Sequence, residues 1–176
     1  MIRRKLLFMI LMLTLIPVVS AMTLQDYPEM FIKNKDLDVT VVVGDRAIAS
    51  DTIGAIEIAT SLQSMDFFST KVKAILASEV NSISSKNMIV VGGPCANSVA
   101  AELMNYPVKC AESIPANTGL IKLYNFEDKN VLLVAGVSAM DTRRAATVLA
   151  NYEDYSIPTS NSMEVINKLE KKVLVK

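Results

Sequence analysis

The chain has 176 residues, 51% apolar and 20% charged, with eighteen basic and eighteen acidic side chains. That length suits one compact domain, and the composition is far too apolar for a disordered chain. Histidine is absent, which excludes a Ser-His-Asp triad, a Cys-His pair and any histidine-bearing zinc or HExxH site. Two cysteines are too few for a four-cysteine metal cluster or a disulfide-dense miniprotein, and a net charge of zero offers no basic face to nucleic acid.

The N-terminus reads as an address. Arg3, Arg4 and Lys5 precede an apolar run from Leu6 to Ile16, Pro17 breaks it, and Val19-Ser20-Ala21 supplies the small residues of a cleavage site. This order predicts a secretory signal peptide over residues 1–21, cut after Ala21. The eleven-residue run falls short of the roughly 17–25 residues that span a bilayer. A retained membrane anchor is the alternative, and it needs Pro17 and Ser20 inside the span. Cleavage removes three basic residues and no acidic one, so eighteen of each become fifteen basic and eighteen acidic, a charge of −3. A mildly acidic exported chain is disfavoured at anionic lipid.

Residues 22–36, with Asp26, Pro28, Asn34 and Lys35, read as a poorly structured approach to a single α/β domain over 37–176. Val39 to Val43 is a β-branched run closed by Gly44-Asp45; Ser50 or Asp51 then caps a helix whose apolar stripe is Ala55, Ile56, Ala59 and Leu62. Met88 to Val91 ends at Gly92-Gly93-Pro94, before a helix from about Ala96 to Met104. Val131 to Ala135 ends at Gly136, and Ser138 with Asp141 forms a capping box for a third helix bearing Ala145, Val148 and Leu149. Lys71 to Leu76 is a strand or a short helix. Gly119 to Tyr124 turns through Asn125–Asn130 into the Val131 strand as a hairpin, and Met163 to Ile166 and Val173 to Val175 add edge strands.

Strands apolar at nearly every position bury both faces. The expected fold is therefore a three-layer α/β domain: a mostly parallel sheet flanked by helices, with at least one antiparallel hairpin pair.

Loops at the C-terminal ends of parallel strands share one rim, where ligands usually bind. Here the rim gathers Gly44, Asp45, Gly92, Gly93, Gly136 and Ser138, and helix starts there can hold an anion. Neither GxGxxG nor GxxxxGK[ST] occurs, so no nucleotide cofactor is expected and the glycines are explained by tight turns alone. Cys95 stands at the mouth of the second helix and Cys110 beyond its end. The helix is about 14 Å long and the return stretch reaches up to about 17 Å, so a Cys95–Cys110 disulfide is feasible and is favoured over a thiolate activated by the helix start. Asp51 and Asp141 read as capping carboxylates. Asp45 reads as a turn residue or a partner of Arg46 or Arg144, and Arg143-Arg144 as a solvated doublet. An enzyme would have to work with Asp45, Asp141 or Cys95; no catalytic residue and no metal site is assigned.

Asp38 to Asp45, then Ala49-Ser50-Asp51 and Gly54 to Ala59, resemble the opening domain of archaeal S-layer proteins. Val90 to Asn97 is similar to that family's later glycine-proline turn, and Ala135-Gly136 with Asp141 to Ala146 and Leu149 to Tyr152 to its last strand-helix unit. The resemblance runs in order from Asp38 to Tyr155. It implies an extracellular, non-enzymatic role at the cell surface, with other surface proteins or a second copy as partners. Subunits of that family are several times longer, and here only Leu62 to Lys86 separates the first two units, so an accessory or truncated surface domain is the expectation. An exported small-ligand or anion-binding domain using the glycine rim is the alternative.

Overall fold

The computed structural model describes residues 21–65, 71–167 and 173–175. The expected signal peptide lies outside them except for Ala21. No helix among the described residues is long and apolar enough to cross a membrane.

Among the described residues there are nine strands: β1 (Ile32–Lys33), β2 (Asp36–Leu37), β3 (Thr40–Val43), β4 (Lys73–Leu76), β5 (Met88–Val91), β6 (Thr118–Phe126), β7 (Lys129–Gly136), β8 (Ser162–Asn167) and β9 (Val173–Val175). The helices are α1 (Ala49–Gln63), α2 (Ser98–Leu103) and α3 (Ala139–Ala150). β1 and β2 make a small hairpin of their own, while the other seven strands form one sheet in the order β4-β3-β5-β7-β6-β8-β9. β4, β3, β5 and β7 run parallel; β7, β6, β8 and β9 pair antiparallel. The Lys71–Leu76 stretch thus resolves to a strand, and the hairpin expected across Asn125–Asn130 is the β6–β7 pair.

The register explains why the three valine-rich runs are apolar throughout. Val41, Ile89 and Leu132 stand side by side, as do Val42, Val90 and Leu133, and all six are wholly buried. Successive residues of a strand face opposite ways. The first trio packs with Ala55, Ile58 and Leu62 of α1 and Ala145, Val148 and Leu149 of α3. The second packs with Val99, Ala100 and Leu103 of α2, and with Ala77 and Ile114. Helices therefore cover both faces of the sheet, giving the three layers expected.

Residues 22–36 depart from the sequence reading. They form 3₁₀ turns at Leu24–Asp26 and Glu29–Phe31 and bury Leu24, Tyr27, Met30 and Phe31 in the α1/α3 core. The Tyr27 ring stands edge-on to Tyr152, 5.2 Å between centroids, and Leu24 N–H donates to the Ser160 carbonyl at 2.9 Å. This stretch is part of the core.

Candidate functional site

β3 is followed by α1 on one face of the sheet, and β5 by α2 on the other. Chain segments that diverge in this way leave a crevice at the strand C-termini. The predicted rim residues converge there. Gly44 lies so close to the Ala96 carbonyl that a methyl group would collide with it, and Arg46 N–H donates to that same oxygen at 3.1 Å. Gly92 has φ +116°, a conformation that glycine adopts without steric cost, and its N–H donates to Val134 O at 2.9 Å. Gly136 is packed against the first turn of α3, where an added methyl would overlap the Thr142 amide nitrogen and lie 2.6 Å from Asp141 Cβ.

Cys95 and Cys110 are bonded to each other, with Cα atoms 5.3 Å apart. They form one wall of a cavity of about 210 Å³, bounded also by Arg46, Gly93, Gly136, Ser138 and, from α1 and α3, Asp51 and Thr142. Gly44, Asp45 and Gly92 lie outside its wall. A larger cavity of about 580 Å³ opens at the far ends of the helices, beside Pro28, Met65 and Tyr152, and holds none of the predicted residues.

Asp45, Ser138, Asp141 and the arginine doublet each have an identifiable task. Asp45 accepts hydrogen bonds from the Ser78 N–H (3.0 Å) and hydroxyl (2.5 Å), so its partner is neither Arg46 nor Arg144. Ser138 Oγ accepts from Asp141 N–H at 3.2 Å, while Asp141 accepts from Ser138 N–H at 3.1 Å; this is the expected capping box. Burial alone would push the Asp141 carboxyl up, but the Ser138 hydrogen bonds and the Arg144 guanidinium, 2.6 Å away, hold it below the usual carboxylate range. Arg143 pairs with Glu57 of α1 at 3.2 Å. The arginine doublet therefore serves as structural cement on α3 and does not form a solvated face.

Asp51 corrects its sequence reading as a cap. α1 begins at Ala49 with Ile48 before it, and no side chain caps that start. Asp51 falls at the third helical position and is only 3% exposed. Burial raises its carboxyl above the ordinary value, against opposing hydrogen bonds from the Thr142 side chain and the Ile48 backbone. Its Oδ1 has no hydrogen-bond partner.

Asn97, fully buried, is the residue the sequence reading passed over. Its amide nitrogen donates to Val42 O (3.3 Å) and Val91 O (3.0 Å), tying the ends of β3 and β5 together. Its Oδ1 accepts from Val99 and Ala100 N–H at 3.0 and 3.3 Å, capping α2. The available signal was an asparagine directly before Ser98-Val99-Ala100, a preferred N-cap; α2 starts there, two residues later than expected. Among the described residues no group of three or more His, Cys, Asp or Glu side chains could hold a metal ion.

The model of the S-layer like family, outer domain, matches residues 23–83 and 73–153. No curated protein matches the chain.

Proposed function

Since the chain belongs to the S-layer like family, as its outer domain, a family whose members have a structural role at the cell surface, we propose that it is an exported, non-enzymatic envelope domain. It acts by association with itself or with other surface proteins, and it is released from its N-terminal leader after Ala21. The match carries this reading, because it spans β1 through α3 and thus nearly the whole core. Two features support it. The Cys95–Cys110 bond suits an oxidising exterior. Ile48 before α1, Ile53 and Ile56 on it, and Met140 at the start of α3 expose between 38% and 59% of their surface, apolar area of a kind that marks contact sites when clustered; Ser50 Oγ at 3.4 Å from Met140 Sδ brings the two helix starts together.

The test is sedimentation of the chain starting at Met22, together with surface proteolysis of intact cells that carry the protein. Concentration-dependent assembly and protease access from outside are expected. A monomer at every concentration, found only inside the cell, would overturn the proposal.

A further inference from the structure

Between the end of α2 and the start of β6, residues 105–117 form a strap with neither helix nor strand. Ile114 is its one buried side chain, Pro107 and Ala111 are half-buried, and the other ten residues are exposed, Tyr106 by 67% and Val108 by 94%. Its hydrogen bonds are local. Asn105 and Tyr106 N–H donate to Glu102 O and Ala101 O at the end of α2, Glu112 and Ile114 N–H donate to Lys109 O and Ala111 O, and Val108 N–H donates to Glu112 Oε1. At its far end the Ala116 carbonyl accepts from the Thr118 hydroxyl. Among the described residues no hydrogen bond of the strap reaches α1, α3 or the inner strands of the sheet. Two ties remain: Ile114, set in the core under α2, and the covalent bond from Cys110 to Cys95.

One buried side chain does not offset the entropy of ordering thirteen residues, whereas a covalent tie holds them regardless. The layer beneath has its own anchors. Asn97 fastens the start of α2 through four hydrogen bonds, and Val99, Ala100 and Leu103 pack on the sheet. Both cysteines are exposed, so a thiolate in solution reaches their sulfurs, and exposed disulfides are the labile ones.

We propose that the Cys95–Cys110 bond is a redox latch on this strap. A small thiol opens it by exchange: its thiolate attacks one sulfur and forms a mixed disulfide, and a second thiol completes the step, leaving two protein thiols and one small-molecule disulfide. The strap then comes away, drawing Cys110 and Ala111 out of the wall of the rim cavity of about 210 Å³, while the sheet and its helices stay folded. A small disulfide reverses the step by accepting the two electrons and two protons of the protein thiols. A chain reduced where it is made and oxidised outside closes the strap only after export. That ordering rests on the export reading, but control of the strap by the bond does not, so failure of the latch leaves the envelope reading untouched.

Lys109 is the only basic residue of the strap, which makes trypsin the probe. The chain starting at Met22 is digested with and without dithiothreitol, and amide exchange of β5 and β7 is followed alongside. Reduction should speed cleavage after Lys109 by at least about tenfold, because proteolysis follows the population of the open form. Cleavage at Lys122 in β6 and Arg143 in α3 should not change, nor should protection of β5 and β7. Oxidised glutathione should restore resistance at Lys109, and Cys95→Ser with Cys110→Ser should reproduce the reduced pattern without any reductant. Equal cleavage at Lys109 in the oxidised and reduced chains overturns the proposal, as does loss of protection in β5 and β7 together with the strap.

Discussion

Asn97 offers the most searching test of how the rim is built. Replacing it with alanine removes the cap of α2, about 1 kcal/mol, and strips the donor from two buried carbonyls, Val42 O and Val91 O. A buried acceptor left without its donor costs about 1–3 kcal/mol, so with two such carbonyls the substitution should destabilise the domain by roughly 3–7 kcal/mol. With a urea slope of about 1–3 kcal/mol per molar, the unfolding midpoint should fall by roughly 2 M. Asn97→Asp sharpens the test. It keeps the capping oxygen but turns a carboxylate toward two carbonyl oxygens in a buried site, so its folded pKa is raised. The contribution of such a group is greatest below its unfolded pKa and is lost as pH rises through the folded value. Asn97→Asp should therefore approach the native protein near pH 4 and fall away from it by pH 7, whereas Asn97→Ala shows a constant deficit. A loss under about 1 kcal/mol in Asn97→Ala, or a pH-independent Asn97→Asp, would refute the account.

Cys95→Ser with Cys110→Ser opens a loop whose ends are 15 residues apart; the chain-entropy model assigns about 3 kcal/mol to that closure, measurable by urea unfolding with and without reductant. Asp141→Asn should cost about 1 kcal/mol at pH 7 through the capping box. Because the folded carboxyl is held below its unfolded value, that stability is present above the unfolded pKa and disappears as pH falls through the folded one, so the variant and the native protein should converge in acid. Gly136→Val should prevent α3 from docking, read as loss of cooperative thermal unfolding, since its side chain would overlap the backbone of Asp141 and Thr142.

The parallel half of the sheet was legible because two-sided burial writes itself as unbroken valine, isoleucine and leucine: Val41, Val90 and Leu133 could serve no other layer. The capping box at Ser138 was equally readable, being a local contact three residues long. Residues 22–36 were misread for a physical reason. Leu24, Tyr27 and Met30 recur every third residue, the 3₁₀ period, while the intervening Asp26 and Pro28 give the stretch the composition of a loop. Asp51 of α1 and Thr142 of α3 come to one cavity wall only through tertiary packing, and no spacing rule connects them. Placing the second helix at Ala96 hid the cap in plain view.

Leu24 N–H bonds to Ser160 O, and Asn125 Nδ2 donates to Met22 O at 3.0 Å. β8, just beyond Ser160, closes onto β6. Ribosomes deliver the beginning of a chain first, so the earliest residues of this domain must wait for nearly the last ones before they can settle. A nascent chain halted before Ser160 would leave the Leu24 N–H without its acceptor and the outer edge of β6 without β8.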